Sequence, residues 1–340
     1  MPSISNRSLQ VLSLAAVGFM FATAAAQQNP KRDDDAPIKL QATLVQVPVT
    51  VKNFRGGYVA NLHREDFALY EDGVRQEVEF FKTVDEPFSV ALLIDSSGST
   101  ADQLTEIRKA ARAFIHLLRD ADRAMIIEFN DSVHVVCELT SDRNRLLDSL
   151  EEIKAGEYTQ VYDAVYTVVW EKFEKVEGRK AAIVFTDGVD SASTEITEDD
   201  TLDAVVEMED VILYPIRYNT RYDAMVKLAR KYNPSLTADS VGVEAYLSEE
   251  VRKGFDHAYR KADSYLQQLA ELSGGVVERA DRLADLRGAL ERIATELRQQ
   301  YLLGYYPTNT NRNQANRKIK VTVLRDGYRV RARPAYNISK

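Results

Sequence analysis

Phe88 to Asp95 reads Phe-Ser-Val-Ala-Leu-Leu-Ile-Asp, an apolar run in which Ser89 is the only polar residue before the final acid. It is too short for an ordinary helix and too continuous for a half-wet strand, so it reads as a strand buried inside a sheet. Asp95, Ser97 and Ser99 then stand at alternate positions in Asp-Ser-Ser-Gly-Ser-Thr. One carboxylate and two hydroxyls are thereby delivered into the turn between a buried strand and a helix. That is a hard, oxygen-only donor set, suited to Mg2+, Mn2+ or Ca2+ rather than zinc.

Two distant segments can complete the set. Thr159, in Ala-Gly-Glu-Tyr-Thr-Gln-Val-Tyr-Asp-Ala, lies in a loop leading into a helical stretch from Tyr162 to Lys175. Asp187 follows Lys-Ala-Ala-Ile-Val-Phe-Thr, where Ile183, Val184 and Phe185 read as a short buried strand. Gly188 then lets the backbone leave the sheet sharply. Each motif has an ordinary counterpart, since Asp and Ser are common helix N-caps and Thr-Asp-Gly is common turn chemistry. The conjunction is narrower, because Asp95 and Asp187 both end a strand and the three segments follow one order. Asp190, three residues on from Asp187, has two readings, a support behind the metal ligands and a solvated loop acid, of which the second is the more ordinary.

The surrounding pattern supplies a frame. From Phe88 to about Gln300 short strands alternate with helices: Leu104, Ile107, Ala111, Phe114 and Leu118 recur at helical spacing, and Arg123 to Phe129, Ala181 to Phe185, Val211 to Ile216 and Val276 to Glu278 are strand candidates. This predicts an α/β body with a doubly wound, mostly parallel sheet, whose ligands bind beyond the carboxyl ends of the strands. Val133 to Cys137 follows its neighbour across a short turn and must form an antiparallel edge. Trp170 and Phe173 read as helix core, and Tyr162 and Tyr166 as core residues near the rim of the cup. Leu283, Leu286, Leu290, Ile293 and Leu297 form a last amphipathic helix. Arg221 to Lys261 is longer than a strand-to-helix connection needs; a pair of solvated helices and a partner-binding insertion are the two readings of it.

Both flanks return to two-residue alternation. Ile38 to Val51 shifts its apolar phase, as a strand with a bulge would. Phe67 to Tyr70 and Val78 to Phe81 read as a hairpin turned at Asp72-Gly73, and Asp326-Gly327 reads as a second hairpin turn. Arg329, Arg331 and Arg333 read as one wet strand face. Neither flank is large enough for a core alone, so the two are expected to pair into a β-sandwich with the α/β body inserted between them. The layout is then a signal at 1–26, a linker at 27–36, sandwich strands at 37–86, the α/β domain at 87–300 and the remaining sandwich strands at 301–340.

At this point the residues resemble a known family, the von Willebrand factor type A domains. Their metal-ion-dependent adhesion site is built from Asp-x-Ser-x-Ser, a later Thr, and a later Asp followed by Gly, and all five positions are filled here. The resemblance implies that Ser97, Ser99 and Thr159 give hydroxyl oxygens, that Asp95 and Asp187 bind directly or through water, and that an acidic side chain of a partner protein takes the open position. The layout also resembles a family of secreted bacterial proteins named for a related domain, through Leu62-His63-Arg64-Glu65-Asp66-Phe67, Tyr70-Glu71-Asp72-Gly73, Tyr301-Leu302-Leu303-Gly304-Tyr305-Tyr306-Pro307 and Gly327-Tyr328-Arg329-Val330-Arg331.

Arg7, the apolar Leu9 to Ala22 and Ala24-Ala25-Ala26 read as a secretory signal, interrupted too often by polar residues for a membrane anchor. The expected place is therefore secreted, periplasmic or in the cell envelope. Cys137 is the single cysteine, so no intrachain disulfide is available. A formal net charge of −8 makes nucleic acid a poor partner. The expected function is a non-enzymatic, metal-dependent protein-binding module for adhesion or scaffolding. Its competitors are a metal-braced structural protein of the envelope and a metal-assisted hydrolase. Against the last, no Gly-x-Ser-x-Gly elbow or phosphate-cradling glycine loop occurs, and no histidine adjoins the motifs.

Overall fold

The computed structural model describes residues 44–83, 86–237, 239–280, 284–311 and 316–337. The expected signal and linker, the phase shift at Ile38 and Leu40, and Leu283 lie outside them. Four strands come first: β1 (Val45–Asn53), β2 (Phe67–Glu71), β3 (Val74–Gln76) and β4 (Phe80–Lys82). The alternating body follows with β5 (Phe88–Asp95), α1 (Leu104–Leu117), β6 (Arg123–Phe129), β7 (Val133–Thr140), α2 (Arg143–Ser149) and α3 (Val161–Tyr166). It continues through β8 (Arg179–Thr186), α4 (Glu198–Glu207), β9 (Val211–Arg217), α5 (Arg221–Ala229), α6 (Glu249–Ser273), β10 (Glu278–Arg279) and α7 (Ala284–Leu297). Last come β11 (Gln300–Tyr305), β12 (Asn316–Val323), β13 (Tyr328–Ala332) and β14 (Ala335–Asn337).

The central sheet has the order β10-β9-β8-β5-β6-β7, parallel except for the edge strand β7. Every residue of β5 is buried, which explains the unbroken apolar run. Its alternation splits the core. Val90, Leu92 and Ile94 pack with Phe114 of α1 and Leu290 of α7, while Ala91 and Leu93 pack with Val165 of α3 and Leu269 of α6. The expected doubly wound body is therefore present.

Two antiparallel sheets, β13-β1-β11-β4 and β14-β12-β2-β3, flank it, each built from strands on both sides of the α/β body. Between them lies a core of Val45, Val47, Val49, Phe67, Tyr301 and Ile319, among others. At its end the buried Glu71 carboxylate meets the Arg317 guanidinium at 3.1 Å and accepts from the hydroxyls of Tyr305 and Tyr336 at 2.7 and 2.8 Å. A buried charge is tolerable only with partners of this kind.

Several expectations need correction. Asp72 and Gly73 both adopt positive φ (48° and 84°), so the turn is two residues long and pairing resumes at once, Glu71 with Val74. The return strand is thus Val74–Gln76, and Phe80–Lys82 leaves to pair with β11 in the opposite sheet. Asp326-Gly327 likewise joins strands of different sheets, because β12 pairs with β2 and β14 while β13 pairs with β1. Trp170 is 40% exposed, whereas Phe173 is buried. After α3 the chain widens into a π turn, Thr167–Lys172, where the Phe173 amide donates to the Val168 carbonyl five residues back. The wider turn keeps Val168 and Phe173 in the core together and rotates Trp170 outward. Arg221 to Lys261 forms α5 and the start of α6, with a small core of its own from Met225, Val226, Leu236, Val243 and Leu247.

Of the supposed wet arginine face only Arg329 is exposed, and Arg331 and Arg333 belong to an internal junction. Arg331 donates to the Gly274 carbonyl and pairs with Glu296, a buried acid of α7 that also accepts from the Tyr58 and Tyr214 hydroxyls at 3.0 and 2.9 Å. Arg333 is 1% exposed and donates to the carbonyls of Val205, Val206 and Met208 at the end of α4. A helix C-terminus carries partial negative charge and carbonyls without intrahelical partners, so a guanidinium satisfies both needs. Replacing Arg333 by Met should cost about 3 kcal/mol in a urea unfolding experiment, because several carbonyls lose their donor in a buried site. The exposed Arg329 replaced in the same way should change stability by less than about 0.5 kcal/mol.

Candidate metal centre

β5 and β8 run side by side with Ile94 level with Phe185, so Asp95, Thr186 and Asp187 emerge together at the carboxyl end of the sheet. Both acids are fully buried. The Thr186 hydroxyl donates to Asp95 Oδ2 at 2.7 Å and receives the Gly188 amide at 2.9 Å. Asp95 Oδ1 accepts the Ser97 amide at 3.0 Å, and the Val189 amide donates to Asp187 Oδ1 at 2.9 Å. Gly188 sits at φ +80°, and a Cβ there would stand 2.8 Å from Leu266 of α6, so the turn needs glycine on both counts.

The hydroxyls bridge the acids. Ser97 and Ser99 hydroxyls lie 3.1 Å apart, and Ser99 donates to Asp187 Oδ2 at 3.1 Å. Thr159 lines the same cavity as Ser99 and Asp187, a recess of about 410 Å³. What brings its loop there is hydrogen bonding to the turn after Asp187. The Thr159 amide donates to the Ser191 hydroxyl at 2.9 Å, and the amides of Ser191 and Ala192 return to the Thr159 carbonyl at 2.9 and 3.0 Å. Asp190 accepts the Val161 amide at 2.9 Å and the Ser193 hydroxyl at 2.7 Å, capping the start of α3. On the other side the buried Glu128 accepts from the Ser96 hydroxyl, the Asn130 amide and the Lys154 amide, while Asp131 receives the Tyr158 amide at 2.7 Å.

Four of the five residues expected from the sequence, Asp95, Ser97, Ser99 and Asp187, therefore join one hydrogen-bonded group, and Thr159 faces the same cavity. Asp190 is not a solvated loop acid; it ties two of the loops together. Sequence reading also missed Thr220, at the start of α5, whose hydroxyl donates to Asp187 Oδ2. Since that proton is committed, the Tyr259 hydroxyl of α6 donates to Thr220 across 2.8 Å. The Tyr218 hydroxyl is buried near Asp95, Asp187 and Thr100, but among the described residues no group meets it in hydrogen-bonding geometry. Only Asp190 carried a sequence signal, three residues beyond Asp187. The others arrive from later elements.

Burial, and after it the adjacent Asp187, push the Asp95 carboxyl from its ordinary 3.8 up to about 7. Asp187 is raised by burial in the same way. Two desolvated carboxylates stand together, and among the described residues neither has an ion-pair partner. Such a pair suits a divalent cation, whose two charges it can neutralise. Among the described residues no group of three or more His, Cys, Asp or Glu is arranged to hold a metal. A cation here must therefore draw on hydroxyl oxygens as well, which favours hard Mg2+, Mn2+ or Ca2+.

The family model of the von Willebrand factor type A domain matches residues 89–235, from β5 to just beyond α5. No curated protein matches the chain. Among solved structures, a von Willebrand factor type A protein from Catenulispora acidiphila is similar at 10% identity and TM-score 0.46, over 88% of this chain and 75% of that one. BatB from Bacteroides thetaiotaomicron is similar at 18% identity and TM-score 0.42, over 62% of this chain and 97% of that one. Proximal thread matrix protein 1 from the mussel byssus, solved with a zinc-occupied MIDAS motif, is similar at 14% identity and TM-score 0.44, over 67% of this chain. The match spans about half the length of that mussel protein, 49%.

The raised carboxyls set a pH dependence. Between about pH 4 and pH 7 the folded, metal-free protein holds protons that the unfolded chain has released, so its stability falls as pH rises through that window. Urea midpoints measured in chelator should show this slope. Asp95→Asn should flatten it, and saturating Mg2+ should do the same for the unaltered protein; equal slopes in all three would contradict this electrostatic account.

Proposed function

We propose that the chain is an extracytoplasmic, metal-dependent protein-binding module, serving adhesion or scaffolding. Asp95, Ser97, Ser99, Thr159 and Asp187 would hold one divalent cation, Mg2+ foremost, and an Asp or Glu of a partner protein would complete its shell. The observation that carries this reading is the buried pair Asp95 and Asp187 with the Ser97 and Ser99 hydroxyls beside them, Asp187, Ser99 and Thr159 lining an open cavity. Two carboxylates neutralise the ion, hydroxyls keep it hard, and the opening leaves room for an outside ligand. Mg2+ dehydrates reluctantly and so keeps exchangeable waters in that opening.

Binding is favoured over catalysis because the cavity is lined by acids, hydroxyls and apolar side chains, with neither histidine nor cysteine along it. The match of residues 89–235 to the von Willebrand factor type A model supports the same reading. Export is supported by the signal-like composition of residues 1–26, and among the described residues no helix is long and apolar enough to cross a membrane. The depth of the two carboxylates also suits a metal that merely braces the sheet, and binding in chelator separates the two readings. A brace would lower only the melting temperature on chelation. A binding site would lose its partner as well.

Isothermal titration with Mg2+ or Mn2+ should show a single site in the unaltered protein and none in Asp95→Asn. Asp190→Ala keeps every donor but loosens the loop that carries Thr159, so metal affinity should fall about 10- to 100-fold without vanishing. Undiminished uptake by Asp95→Asn would remove the assignment.

A further inference from the structure

The cavity is larger than a carboxylate and its cation require, and one side of it is apolar. That side is a single face of α6: Val251, Gly254, Phe255, Ala258 and Tyr259 line it at helical spacing, with Ala224 of α5 beside them. Tyr259 stands at the floor, since its hydroxyl donates to the threonine that holds Asp187. Val251 stands at the mouth and is 36% exposed. The rings of Phe255 and Tyr259 stack at 6.4 Å with 21° between their planes, making a flat aromatic strip. At Gly254 a Cβ would meet nothing within 4 Å, so the recess is open there. Of the charged neighbours, Lys253 pairs with Glu249, Arg221 with Asp256, and Lys227 donates to the Gly98 carbonyl, while Glu157 lines the cavity away from this helix face.

Resting on the metal-dependent reading above, we infer that this wall recognises an extended peptide segment whose metal-bound Asp or Glu has an aliphatic or aromatic residue two positions away. The spacing follows from dimensions. From Tyr259 to Phe255 the helix rises about 6 Å, at 1.5 Å per residue. In an extended peptide, residues two apart face the same way and stand about 6.6 Å from each other. An acid at the floor thus sets its second neighbour against the Phe255 ring. A neutral apolar wall beside a cationic floor selects an anionic residue with an apolar companion; a phosphate-bearing surface would want further cations around the rim.

The test uses the full chain and a peptide array of Ala-Ala-Asp-Ala-Ala with Leu, Ala or Lys placed two residues to either side of Asp, in Mg2+ and in chelator. Leu on one side should tighten Mg2+-dependent binding about tenfold over Ala, as covering most of one such side chain predicts. Lys there should give no gain. Gly254→Glu adds a carboxylate where there is room for it and should reverse the order, with Lys now above Leu. Phe255→Ser should erase the Leu advantage; it also touches the small core around α5, so the glycine variant carries the decision. Mg2+-dependent retention of Asp peptides with no ranking by neighbour, or a ranking indifferent to Gly254→Glu, would overturn the wall while leaving the metal site standing. Retention that ignores chelator would overturn both.

Discussion

Two like charges buried side by side are the constraint around which the rest is arranged. Asp95 and Asp187 end adjacent parallel strands, and the sheet that brings them together also strips them of water. Desolvation and mutual repulsion both oppose ionisation, and the protein answers with local donors: Thr186 and the Ser97 amide on one acid, Ser99 and Thr220 on the other. Hydroxyls and amides soften the conflict without supplying the missing positive charge. In the function proposed above, a cation arriving from outside would supply that charge.

The loops around the acids are held by backbone-directed side chains. Asp190 and Ser191 fasten the Thr159 loop to the turn after β8, and Asn130, Asp131 and Glu128 fasten it to the end of β6. A donor set spread over three segments is only as well placed as these ties, because each hydroxyl moves with its own loop. α6 adds a further tie through Tyr259 and Thr220, and so links the helix that walls the cavity to the acid at its floor.

Much of this was legible in the sequence, for identifiable reasons. The buried strands announce themselves because parallel strands are covered on both faces and carry no polar alternation, as β5 shows. The acids announce themselves because they stand directly at strand ends. Thr220, Tyr218 and Tyr259 were silent, since only the crossing of later elements over the sheet brings them near. Asp326-Gly327 marks a reversal of the chain, but a reversal does not say whether the next strand joins the same sheet or the opposite one. Alternating arginines look alike whether the face they occupy meets water or, as at Arg331 and Arg333, the ends of helices. Trp170 was misplaced by a π turn, which shifts the helical phase without any residue type to advertise it.

The pairing of β1 with β11, Val45 opposite Tyr305, has a kinetic meaning. A nascent chain exposes β1 long before its partner exists, for tens of seconds at translation rates of about 5–20 residues per second. Meanwhile the α/β body, whose strands are nearer neighbours along the chain, has what it needs to form. The sandwich cannot close until β11 has been made, and Val47 and Val49 lack that partner strand for the whole interval. Any holding factor for this protein during biogenesis would find its target there.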